Sequence, residues 1–121
     1  VAPGAMVLAA IDARRDEVYA ALYRRDADAL TEIRPSAAHP VQALVATLEP
    51  GVILVGDGSA KVAAAAPGRL SAPPAGSEGC RAGAVALLGA QRFARGERAD
   101  LATLEPAYVK EFFTTATPLP Q

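Results

Sequence analysis

The residues best placed to do chemistry lie in two short polar islands. The first is Asp12-Ala13-Arg14-Arg15-Asp16-Glu17-Val18-Tyr19, and the second is Gly56-Asp57-Gly58-Ser59. A hairpin that cradles phosphate needs glycine, so that backbone amides can reach the oxygens. In the first island Ala13, Arg14 and Arg15 hold the turn and glycine is absent, although the two arginines could hold an anion by charge. A solvated hairpin with local Asp–Arg pairing fits the same residues. The second island joins an apolar run to a helical pattern, and a helix N-terminus favours anions. A tight strand-to-helix turn is the simpler account of it.

Three other chemistries can be weighed from residue types. A two-metal nuclease needs several carboxylates converging on one point. Asp12 and Asp57 end two separate apolar runs and are expected to be neighbours. A third carboxylate should come from the first helix, which offers only Glu49 at its far end, so the set is incomplete. Cys80 and His39 are the single cysteine and the single histidine. One of each is too few for a zinc site, which takes four ligands or three plus water. A lone cysteine forms no internal disulfide, which fits a reducing cytoplasm. Thiols near a helix start can be acidified, yet no base is positioned for Cys80, and a buried or inert thiol is expected.

The elements that must position these residues follow from apolar patterning. Met6–Ile11 is a continuous apolar run and reads as a buried strand. Val18–Tyr23 is a second strand joined to it by a hairpin, and Leu30–Arg34 alternates as a short third strand near an edge. Pro40 suits a first helical turn. Val41, Leu44, Val45 and Leu48 follow at helical spacing, until Glu49-Pro50-Gly51 ends the helix. Val52–Val55 is the clearest strand. Ser59–Ala66 is an Ala-rich helix stopped by Pro67-Gly68, and Arg69–Ala72 is a short strand. Ser77 is the expected N-cap of a last helix, which carries Ala82, Val85, Ala86, Gly89 and Phe93 on one face and ends at Gly96. Beyond it Leu101–Val109 is an irregular or extended return.

The fold class is therefore α/β. The order β-β-β-α-β-α-(β)-α, with a mixed sheet, is that of a ribonuclease H-like or actin-like ATPase lobe. Residues 1–5 read as a leader, 6–113 as the lobe and 114–121 as a flexible Thr- and Pro-rich tail. The leader has no initiator Met and suggests a fragment or a processed chain.

Composition narrows the function classes. Hydrophobic residues make up 51% and charged residues 21%, enough for a packed core. Net charge is −1, and a pI near 5.8 lacks the basic face of proteins that grip nucleic acid directly. With three Phe, three Tyr and no Trp, there is little surface for stacking bases. A role in RNA chemistry would run through a partner, with tRNA met only indirectly. The run Met6–Ile11 is too short for a signal peptide or a membrane span. Neither metal nor cofactor is expected. Near the end, Pro106, Tyr108 and Phe112, with Phe113, form an aromatic segment. It fits packing of Tyr108 on the domain or a partner contact surface.

These residues, in this order, resemble the TsaB (YeaZ) family over Met6 to Phe112. The anchors are Asp12-Ala13-Arg14 with Glu17-Val18-Tyr19, then Val55-Gly56-Asp57-Gly58, then Pro106-Ala107-Tyr108-Val109. Val109 and Lys110 stand where the family commonly has Leu and Arg. The resemblance implies the C-terminal half of a two-lobed protein of the actin-like ATPase fold, the N-terminal lobe being absent. It implies a non-catalytic scaffold that joins a TsaD-like transferase and a TsaE-like ATPase. Together these place threonylcarbamoyl on the adenosine of tRNAs reading ANN codons. Glycoprotease and peptidase names also circulate in this family, but no metal set or triad here supports such chemistry. A different reading is an actin-like domain that keeps nucleotide or anion affinity through Arg14, Arg15 and the turn Gly56, Asp57, Gly58. A metal-dependent nuclease is the remote one. The oligomeric state is left open, a homodimer included.

Overall fold

A computed structural model describes residues 2–71 and 73–108. The part of the terminal aromatic segment from Val109 on, Phe112 and Phe113 included, lies outside the described residues.

Three strands run in succession: β1 Met6–Asp12, β2 Glu17–Arg25 and β3 Leu30–Pro40. Helix α1 (Val41–Val45), strand β4 (Ile53–Val55) and helix α2 (Ser59–Ala65) follow. Helix α3 spans Ala82–Ala94. The four strands form one mixed sheet in the order β3-β2-β1-β4. β2 pairs antiparallel with both β1 and β3, and β4 pairs parallel with β1.

Strand alternation decides which side is covered. In register, Leu8 faces Leu22 and Leu54, while Ala10 faces Ala20. These residues, with Val18, form one apolar face. α1 brings Val41, Leu44, Val45 and the following Leu48 onto that face, and α2 brings Val62 and Ala66. The periodicity of the first helix thus placed its apolar stripe correctly. Leu8, Leu54, Val18 and Val62 are the largest side chains fully removed from solvent.

Four boundaries differ from expectation. β3 runs on to Pro40 instead of stopping at Arg34. It lies at the edge of the sheet, where Pro35 can be tolerated without a ladder hydrogen bond, and register shifts opposite Ala20–Tyr23 of β2, with the extra residues on β3, take up the irregularity. α1 ends at Val45 instead of near Glu49. The chain tightens there into shorter-range bonds, with Thr47 N–H donating to Leu44 and Leu48 N–H to Val45. Two arginines satisfy the carbonyls beyond: Arg34 donates to Thr47 and Arg69 to Leu48. The expected strand Arg69–Ala72 is reduced to one parallel bridge between Ser71 and Ile53.

The last helix begins at Ala82 and not after Ser77. Ser77 is occupied elsewhere: its hydroxyl donates to the Pro74 carbonyl, and its own carbonyl accepts the Gly56 N–H. Arg81 precedes the helix without a side-chain cap. No residue of α3 is buried.

Candidate functional site

Both polar islands of the sequence come together at the C-terminal ends of β1 and β4, because those strands are parallel neighbours. The Asp12 N–H donates to Asp57 Oδ1 at 2.8 Å. The Asp12 carboxylate turns the other way. Its Oδ1 accepts the Arg14 N–H at 2.8 Å and the Lys61 ammonium at 2.5 Å. Lys61 Nζ also donates to the carbonyls of Arg15 at 2.7 Å and Glu17 at 3.1 Å. All three of its donors are therefore used, and the lysine ties helix α2 to the hairpin.

Lys61 was not among the sequence candidates. The available signal was its isolation, as the only charged residue in the Ala-rich run Ser59–Ala66. A lone lysine there lies one turn past the Gly56–Gly58 turn.

The hairpin itself is unusual. Arg14 and Arg15 have φ of 70° and 51°, a left-handed conformation that costs a non-glycine residue free energy. The turn is held by Ala13 N–H to Glu17 and Glu17 N–H to Arg14. Ala13 is buried below it and Val18 is fully buried, whereas Arg14 and Arg15 are exposed. Tyr19 lies on the opposite side of the sheet, paired across the ladder with Ile11.

Glycine in the second island answers a packing need. A Cβ on Gly56 would collide with the Ala10 carbonyl oxygen, and one on Gly58 would meet the Ala10 and Ile11 carbonyl carbons at 3.0 Å. Gly56 also has φ of 93°. The turn therefore needs glycine to press against the β1 backbone, while the Ala10 side chain itself lies fully buried in the core. Amides that could have faced an anion point into the chain. Gly56 N–H donates to Ser77, Gly58 N–H to Ala10 and Ser59 N–H to Gly56. The Ser59 hydroxyl also donates to the Gly56 carbonyl.

Electrostatics agree with this picture. The Lys61 hydrogen bond, then the Arg14 N–H, hold the Asp12 carboxyl below the usual carboxylate range. The Asp12 side chain is nevertheless half exposed (51%), against 25% for Lys61, so the pair acts more as a geometric clasp than as a large source of stability. Among the described residues, no three of His, Cys, Asp and Glu converge as a metal site would need. Cys80 is exposed, so of the expected buried or inert thiol the buried alternative does not hold. No described helix is long and apolar enough to cross a membrane. Pro106 and Tyr108 are exposed, Tyr108 at 85%, so Tyr108 does not pack on the domain.

No family model and no curated protein matches the chain. Solved structures do. YeaZ from Pseudomonas aeruginosa superposes with a TM-score of 0.65 at 27% identity, over 87% of this chain and 50% of that one. A structure described as an uncharacterized protein with similarity to peptidase YeaZ from Pseudomonas aeruginosa gives 0.68 at 28% identity, over 88% of this chain and 50% of that one. The chain spans about half the length of these neighbours. The resemblance to the TsaB (YeaZ) family is thus matched in three dimensions: solved neighbours of this chain include YeaZ and a YeaZ-like protein.

Proposed function

We propose that this chain is the C-terminal lobe of a TsaB-like scaffold. In this reading it acts in the cytoplasm by protein contact with a TsaD-like transferase and a TsaE-like ATPase, in forming threonylcarbamoyladenosine on tRNA. The sheet order β3-β2-β1-β4, with a single parallel bridge from Ser71 to Ile53 at its β4 edge, supports reading the fold as an actin-like lobe. Fold alone does not give function. The observation that carries the reading is the state of the hairpin and turn. Where an actin-like enzyme would hold phosphate, Gly56, Gly58 and Ser59 amides bond to carbonyls of the chain and Lys61 fills the hairpin. A site closed on itself suits a subunit that works without nucleotide chemistry, and among the described residues no group of three metal-ligating side chains stands beside it.

Co-purification with a TsaD-like transferase tests this. The two-lobed form containing this chain is expected to retain the transferase, and a two-lobed form that never does so overturns the proposal.

One observation favours a second reading. Arg14 and Arg15 are exposed side by side on a strained turn, and together they could hold an anion such as a nucleotide phosphate. Calorimetric titration of the chain with ADP and ATP separates the readings. Micromolar binding that is lost in Arg14→Ala and Arg15→Ala supports the second, and flat titrations support the scaffold.

A further inference from the structure

We draw no further inference here: the strongest candidate, the apolar surface patch of Val85, Leu88 and Phe93 left exposed on helix α3, carries nothing, because nothing among the described residues shows what covers it.

Discussion

Lys61 lies 49 residues from Asp12 in sequence, and its ammonium sits 2.5 Å from the Asp12 carboxylate. This contact, with the bonds from the same nitrogen to the Arg15 and Glu17 carbonyls, connects α2 to the β1–β2 hairpin. Lys61→Met keeps the apolar stem and removes all three bonds. Losing the two carbonyl contacts costs about 1 kcal/mol, and the exposed ion pair adds little. Thermal unfolding should shift down by several degrees. Hydrogen exchange should speed up at Ala13 and Glu17, whose amides close the hairpin, and leave Leu8 and Leu54 unchanged. Uniform loss of protection would mean that the lysine supports the whole sheet and not the hairpin alone.

The same clasp sets a pH dependence. Asp12 is held below its ordinary value, first by Lys61 and then by the Arg14 amide. A depressed carboxylate stabilises the fold above its unfolded value of about 3.9, and that contribution disappears as pH falls through the lower folded value. Asp26, lowered by Thr31 and then Arg24, acts with the same sign. Melting curves from pH 7 to pH 2 should therefore fall off in the acid range, with a smaller drop in Asp12→Asn. Parallel curves for the two proteins would show that Asp12 is not selectively stabilised in the fold.

Gly56 and Gly51 allow a controlled comparison, since both have positive φ, 93° and 86°. A Cβ at Gly51 meets open space, whereas one at Gly56 meets the Ala10 carbonyl. Gly51→Ala should cost about 1 kcal/mol, the left-handed backbone alone. Gly56→Ala should cost that and a further 1–3 kcal/mol or so for the overlap. Urea unfolding midpoints measure both. Equal losses would mean that β1 and the turn move apart easily, and the close approach would have no structural weight.

The sequence displayed some of this and hid the rest for identifiable reasons. The apolar runs Met6–Ile11 and Val18–Tyr23 announce buried strands without saying which face is covered, whereas the spacing of Val41, Leu44, Val45 and Leu48 announces a buried helix face directly, because burial selects residue type at the period of the element. The meeting of Asp12 with Asp57 could be expected from two strands ending at the same edge. Lys61 could not, because a lysine on a helix is ordinarily a solvated charge and its partners come from a distant turn. Gly56 was visible as glycine, but its reason was not. A ligand and a neighbouring backbone ask for the same missing Cβ, and only the position of Ala10 tells them apart. Ser77 has the residue type of a cap, and tertiary bonding to Pro74 and Gly56 overrode that local preference.

Arg14 and Arg15 remain the residues whose conformation disagrees most with their type, at φ of 70° and 51°. Left-handed backbone favours glycine, and neither position needs its side chain to close the turn. The amides of Ala13 and Glu17 do that. Arg14→Gly and Arg15→Gly should therefore each stabilise the chain by about 0.5–1 kcal/mol, the relief of left-handed strain less the greater freedom of glycine in the unfolded chain. Urea midpoints would rise without a change in slope. If a TsaD-like transferase or an anion uses these arginines, the stabilised variants should bind it less well. A functional turn that holds strain gives up affinity when the strain is relieved. Stabilisation with binding intact would mean that the two arginines serve neither contact. Destabilisation would mean that their side chains, and not the backbone alone, hold the hairpin over β1.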